Sequence, residues 1–160
     1  AGANLAIAGA DLVEASDELK NPVVAQAYFI RAFYYFHLVR QFGGIPYVDA
    51  PVSDAEATGA ISRTPADEVY ANIISDLEFA KTWLPNTQTS RAIPAKSAAS
   101  AYLALVHLTR GNYQGAFTQL EHSTEQFTAF VQGALSNQSY QREGRWADQG
   151  KSEKITKIGY

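Results

Sequence analysis

Histidine and neighbouring acids are the first side chains to test for metal chemistry in this 160-residue sequence. The three histidines, His37, His107 and His122, lie far apart, and only Glu121, His122 and Glu125 come close to a ligand spacing. A zinc site needs three or four converging ligands, and this short acidic group is a weak pattern for one. The sequence therefore predicts no metal site, and it carries no motif for an organic cofactor.

Paired carboxylates are the other candidate chemistry, because two acids at a fixed separation hydrolyse glycosidic bonds. Asp49, Asp54 and Glu56 lie in one proline-containing stretch, but nothing in the sequence fixes their separation. A solvated acidic loop is the favoured interpretation. The sequence also lacks a nucleophile elbow, a phosphate-binding loop and a dinucleotide fingerprint. These observations predict a protein that binds rather than one that turns over a substrate.

The composition argues against several classes of binding partner and site. The formal net charge is −3, so there is no electrostatic reason to expect nucleic acid or an anionic membrane surface as a partner. Cysteine is absent, which excludes disulfides and thiolate ligands. The most apolar region is interrupted by Arg31, His37, Arg40 and Gln41, too often for a membrane-spanning helix.

An aromatic run, "RAFYYFHLVRQFGGIPYV", occupies residues 31–48. Either an exposed sugar-stacking platform or a buried helix would use such residues. A platform needs its rings on one exposed face, whereas these point in every direction of a helix, which favours a helix packed between others. We predict that it runs from about residue 22, with Asn21 as its cap and Pro22 in its first turn, to Gly43-Gly44.

Arg31 lies inside this run and is expected to be buried. A buried guanidinium needs a partner, and the acidic residue predicted to face the same core is Asp76, with Glu78 as the second choice. The predicted role of the ion pair is structural.

Helical periodicity covers most of the chain. Leu5, Ala8, Leu12, Ala15 and Leu19 share one face of a predicted first helix, and Thr64-Pro65 has the composition of a helix start with a hydroxyl cap. We predict an all-α fold of antiparallel hairpins in one domain, 1–131, containing a long irregular connection at 43–63. Residues 132–160 are predicted to be an irregular C-terminal segment. The predicted helices are 4–19, 22–42, 65–84, 95–110 and 113–131.

Three ordered segments carry a family resemblance. The turn with Gly111, Tyr113 and Ala116 is similar to a tetratricopeptide hairpin. Beyond this turn, "IRAFYYFHLVRQFGGIPYV", "RTPADEVYANIISDLEFAKTWLP" and "RAIPAKSAASAYLALVHLTRGNY" resemble, in order and spacing, the SusD/RagB family, and "ANLAIAGAD" is similar to the helix that precedes them.

The resemblance implies a surface-exposed outer-membrane lipoprotein that binds oligosaccharide or peptide and delivers it to a SusC-like TonB-dependent transporter, without catalysis. A generic tetratricopeptide adaptor that grips a peptide is the alternative. The family's lipid-bearing cysteine is missing here, so membrane association is expected only through an anchor outside this chain, and the chain is expected to be a piece of a longer protein. If ligand contacts lie in this chain, they are predicted in the 43–63 connection: Tyr47 by stacking, and Asp49, Asp54 and Glu56 as acceptors for sugar hydroxyls.

Overall fold

Four helices form the scaffold of the protein in a computed structural model that describes residues 2–52, 61–87, 90 and 92–121. They are α1 (Gly2–Ala10), α2 (Asp17–Phe42), α3 (Ala66–Trp83) and α4 (Lys96–Thr109). Residues 113–121 are also helical and are called α5. Within the described residues there is no β-strand, only an isolated bridge between Ile45 and Thr64. The predicted all-α fold is confirmed.

The core lies where α2, α3 and α4 meet. All the described residues belong to one compact unit, Ala1–Ser123. Helix α2 contributes Phe36, which is fully buried, and α3 and α4 contribute aliphatic side chains against it. The largest fully buried hydrophobic side chains are Phe36, Ile73, Leu77, Leu103, Val69 and Val106. Burying side chains of this size supplies most of the free energy that holds the helices together.

The predicted boundary between the first two helices was wrong. Helix α1 ends at Ala10, and α2 begins at Asp17, so Pro22 lies inside α2 rather than in its first turn. Ser16 is the N-cap residue, and two acids follow it in the first turn, where they complement the helix dipole. The missing amide of Pro22 removes one hydrogen bond near the helix start, and the helix continues past it.

The predicted apolar face of the first helix does not exist as a packed surface. Leu12 follows α1 and is 86% exposed, and Leu19 belongs to α2 and is 73% exposed. Their spacing fitted a helical period, but residues 11–16 are turn and irregular chain. The period therefore joined side chains from two different elements.

Helix α2 is also less enclosed than predicted. Within the described residues, Phe36 and Val39 are buried, whereas Val23, Ile30 and Tyr34 on the opposite side of the helix are exposed to solvent. Of the six aromatic side chains between residues 28 and 36, only Tyr34 is exposed. The buried-helix interpretation of the aromatic run therefore holds for most of its rings.

The start of α3 differs from the predicted cap. Pro65 is the residue that precedes the helix, and no side chain caps it. The hydroxyl of Thr64 instead accepts a hydrogen bond from the backbone N–H of Tyr47, 3.3 Å away. Thr64 thus ties the connection to α3, because its Oγ1 lies beside the chain that follows α2.

The turn between α4 and α5 has the predicted glycine chemistry. Gly111 has a φ of 73°, a conformation that suits glycine, and Asn112 Oδ1 accepts a hydrogen bond from Gly115 N at 2.9 Å. Helix α5 contacts α3 through Gln119, whose side chain bonds Lys81 at 3.1 Å. The predicted end of this helix at residue 131 and the segment 132–160 lie outside the described residues, so the domain boundary stays a prediction.

Candidate functional site

The predicted Arg31–Asp76 ion pair is present and buried between α2 and α3. Arg31 Nε donates to Asp76 Oδ2 at 2.8 Å, and Nη2 donates to Asp76 Oδ1 at 2.7 Å. This is the two-pronged geometry that a planar guanidinium makes with a carboxylate. The two residues are only 9% and 4% exposed. The second-choice acid, Glu78, pairs with Lys81 on the same helix instead.

The remaining nitrogen of Arg31 reaches beyond α3. Its Nη1 donates to Asn4 Oδ1 at 3.3 Å and to the backbone oxygen of Asp49 at 3.1 Å. The guanidinium therefore joins α1, α2, α3 and the start of the connection. This use of every guanidinium nitrogen meets the requirement that a buried charge be fully hydrogen-bonded.

Tyr47 and Tyr35 line the same cluster. The hydroxyl of Tyr47 lies 3.4 Å from Asp76 Oδ2, and its ring stands 4.5 Å from the ring of Tyr35, centroid to centroid. Tyr35 Oη accepts from Val48 N at 2.8 Å and lies 3.2 Å from Val48 O. The two tyrosines thus fix the backbone at the beginning of the connection.

Burial and charge act together on the ionisable groups of this cluster. Burial raises the pKa of the Tyr47 phenol, and the negative charge of Asp76 raises it further. Burial also raises the pKa of Asp76, while the hydrogen bonds and charge of Arg31 oppose that shift. For Arg31, burial opposes the charged form, but pairing with Asp76 outweighs it and raises the pKa of the guanidinium. Arg31 is therefore a permanent charge, suited to holding structure and unsuited to transferring protons.

The residues predicted to contact ligand fall into three situations. Asp49 has an exposed side chain, although its backbone oxygen is held by Arg31. Tyr47 is half-buried and already contacts Asp76 and Tyr35. Asp54 and Glu56 lie outside the described residues. Tyr47 and Asp49 both contact the buried ion pair: Tyr47 lies against Asp76 through its hydroxyl, and Asp49 binds Arg31 through its backbone oxygen.

Sequence reasoning missed two members of the cluster. Asn4 lies on a helix whose other residues are small or apolar, and a lone asparagine carries no pattern that marks it. Tyr35 belongs to the aromatic run, which was predicted to pack as a buried helix and was given no polar role. Only the fold brings their polar atoms to residues 48–50.

The described residues contain no group of three or more histidines, cysteines or acids placed to hold a metal ion. No helix in this part of the chain has the length and hydropathy required to cross a bilayer. The group Glu121, His122 and Glu125 extends outside the described residues and is not tested.

Comparison with known proteins assigns the family. Residues 3–108 match a SusD-like family described as starch-binding and associating with the outer membrane. The chain belongs to the SusD-like family. SusD-like protein P2 of Formosa agariphila is 59% identical over 114 residues, which are 71% of this chain and 23% of that protein. SusD-like protein P25 of the same organism is 28% identical over 106 residues and is covered over 20% of its length.

Solved structures of SusD-like proteins share the helical arrangement. A SusD superfamily protein of Bacteroides vulgatus aligns with a TM-score of 0.70 at 27% identity, covering 76% of this chain and 26% of that one. A laminarin-binding SusD-like protein aligns with a TM-score of 0.68 at 26% identity, covering 74% of this chain and 26% of that one. The SusD-like chain thus spans about a quarter of the length of these relatives.

Proposed function

We propose that the SusD-like chain is part of a glycan-binding protein that serves nutrient uptake at the outer membrane. The carrying observation is the family match over residues 3–108, reinforced by the 59% identity to SusD-like protein P2. The match to a laminarin-binding relative supports a glycan as the ligand class. Oligosaccharide is therefore the proposed ligand, and peptide is the competing outcome.

The proposed partner is a SusC-like TonB-dependent transporter, to which the protein would deliver its ligand at the cell surface. A lipid anchor outside these residues would supply the membrane attachment. Family membership supports both proposals. A generic tetratricopeptide adaptor is disfavoured, because the match extends over α1 to α4 and is not confined to one helical hairpin.

The connection after α2 is the proposed place of ligand contact within these residues. Sugar hydroxyls are good hydrogen-bond donors, and the exposed carboxylate of Asp49 offers acceptors for them. Tyr47 is half-buried, so stacking on a sugar would use only the open part of its ring. The roles predicted for Asp54 and Glu56 remain predictions.

Binding without turnover is the proposed mode of action. The cluster around Arg31 uses its charges to hold backbone and helices, and its carboxylate is already engaged by two guanidinium nitrogens. A general acid or base needs a group that exchanges protons near neutral pH and reaches a substrate. Neither partner of this buried pair is free to reach a substrate, because each holds the other and both are less than 10% exposed.

The test combines two assays on the whole gene product that contains these residues. Affinity is measured against a panel with laminarin, starch and other oligosaccharides and with peptides, and the same glycans are analysed for cleavage products. The proposal expects saturable binding of at least one glycan and no new reducing ends. Hydrolysis by the purified protein, or binding of peptides alone, would contradict it.

A further inference from the structure

Helix α1 is attached to the rest of the fold in an unusual way. Asn4 is its one buried residue, at 6% exposure, whereas the neighbouring Leu5 is 60% exposed. Amphipathic helices normally dock through an apolar stripe. Here the most enclosed side chain is polar, so the attachment of α1 depends on what the amide of Asn4 contacts.

The Asn4 amide makes three hydrogen bonds across the fold. Its Nδ2 donates to Val48 O at 2.7 Å and to Ala50 O at 3.1 Å. Its Oδ1 accepts from Arg31 Nη1 at 3.3 Å. Two N–H donors and one acceptor are needed on the same side chain at this point, and a primary amide supplies that combination.

Residues 48–50 have their carbonyls held by side chains. The carbonyl oxygens of Val48 and Ala50 accept hydrogen bonds from Asn4, and that of Asp49 accepts one from Arg31. Among the described hydrogen bonds, no backbone group from another element pairs with these three residues. In the described part of the chain, the hydrogen bonds to the backbone of this segment come from the side chains of Asn4, Arg31 and Tyr35.

We propose that Asn4 is the positioning residue for segment 48–50, so that α1 acts as a clasp on the connection between α2 and α3. Its amide replaces the neighbouring strand that an extended segment would otherwise pair with. The clasp sets the direction in which the Asp49 side chain leaves the fold. This consequence for ligand binding rests on the proposed function, whereas the clasp itself does not.

Asn4→Asp is the discriminating substitution. It keeps the size and the oxygen that accepts from Arg31, but it places a carboxylate oxygen against the carbonyls of Val48 and Ala50. Leu5→Ala is the matched control, because it alters the adjacent exposed side chain of the same helix. Tyr35→Phe is a second probe, since it removes the hydroxyl that contacts the backbone N–H and carbonyl of Val48.

The measurement is amide hydrogen exchange by mass spectrometry on peptides covering residues 45–52 and, as an internal reference, α3. The exchange signal of this segment comes from the backbone N–H groups of Tyr47 and Val48, which are held by Thr64 Oγ1 and Tyr35 Oη. We expect Asn4→Asp to raise the exchange of these amides by about tenfold with α3 unchanged, because releasing the carbonyls of 48–50 lets the segment open locally. Tyr35→Phe should act in the same direction, and Leu5→Ala should leave the segment as in the unaltered protein. Equal exchange in Asn4→Asp and Leu5→Ala would overturn the clasp, as would a rise spread evenly over α3.

Glycan affinity of the same variants of the whole gene product separates this inference from the proposed function. Faster exchange with weaker glycan binding supports both. Faster exchange with unchanged glycan binding supports the clasp and shows that the connection is not part of the ligand site. Absence of glycan binding by the unaltered protein contradicts the proposed function and leaves the exchange result to decide the clasp.

Discussion

Arg31 is the residue on which the polar cluster depends, because it contacts α1, α3 and the connection at once. A lysine has one ammonium group and no planar fork, so it does not reproduce the paired bonds to Asp76 together with those to Asn4 and Asp49. Composition and position predicted this residue and its main partner correctly. A charge within an aromatic run has few acceptable solutions, and an acid on the facing helix is the simplest.

Replacing Arg31 with alanine should destabilise the fold by about 3–5 kcal/mol, because it leaves the carboxylate of Asp76 buried without its cation. Arg40→Ala is the control on the same helix, since its exposed guanidinium lies 5.0 Å from the ring centre of Phe36. That change should cost about 0.5–1 kcal/mol. Chemical unfolding measures both, and adding Asp76→Ala to Arg31→Ala should recover part of the loss. A near-neutral Arg31→Ala would contradict the account.

Tyr47 should make stability depend on alkaline pH. Its folded-state pKa is raised above the ordinary 10.0, so the contribution of the neutral phenol is present below about pH 10 and lost as the pH rises through the folded value. The free energy of unfolding is compared for the unaltered protein and Tyr47→Phe at about pH 9 and about pH 11. The advantage of tyrosine over phenylalanine should shrink at the higher pH. A difference independent of pH would show that this phenol is not perturbed.

Ser100 is fully buried in α4, and its hydroxyl has no hydrogen-bond partner within the part of the chain that the structure describes. Removing an unpaired buried hydroxyl relieves a desolvation cost, so Ser100→Ala should stabilise the protein by about 1 kcal/mol more than the same change at an exposed site. Ser97 is such an exposed site about one turn away on the same helix, so Ser97→Ala is the control. Both changes replace serine by alanine in the same helix, so thermal unfolding compares a buried hydroxyl with an exposed one. Equal effects at both positions would mean that Ser100 is satisfied in solution.

At the scale of elements, composition located each described helix but misjudged several ends. Pro22 was predicted to lie at the helix start, although Ser16 followed by Asp17 and Glu18 is another start signal that begins six residues earlier. Both signals are local, and the choice between them depends on whether one lost hydrogen bond near the helix start is tolerated. The seven-residue spacing of Leu5, Leu12 and Leu19 also predicted one continuous apolar helix face, although these residues lie in α1, in the chain after it and in α2.

The end of α2 and the start of α3 are held together at Gly44. A Cβ there would lie 2.7 Å from Thr64 O and 3.4 Å from Ala66 N, both of them backbone atoms. Arg63 also donates to the carbonyls of Gly44 and Phe42. The junction therefore admits no side chain at position 44.

Gly44→Ala should destabilise the fold by about 1–3 kcal/mol, because the added methyl group pushes two backbone segments apart. Gly9→Ala is the control, as nothing lies within 4 Å of its added Cβ in α1. Alanine should be neutral or stabilising there by about 0.5–1 kcal/mol, since it favours the helix. Chemical unfolding compares the two, and an equal response would contradict the close approach at Gly44.

For the whole molecule, the sequence predicted the helical class, the buried ion pair and the family, because each rests on many positions or on a strong physical constraint. The candidate site was harder to predict from the sequence. Asn4 and residues 48–50 are more than 40 positions apart, and only the packing of α1 brings them together. The contacts that place Asp49 could not be predicted from local patterns, since they join side chains to backbone groups without a sequence signature.

The central claim is that these residues belong to a glycan-binding protein whose connection after α2 presents ligand-binding groups. The most direct measurement is the dissociation constant of the whole gene product for its preferred glycan, by calorimetry, in Asp49→Asn and in Glu68→Gln. Both changes remove one exposed carboxylate, but Glu68 lies in the first turn of α3 and not in the connection. We predict that Asp49→Asn weakens binding by about tenfold, as the loss of one charged hydrogen-bond acceptor implies, and that Glu68→Gln leaves it unchanged. Equal affinities in the two variants would contradict the claim.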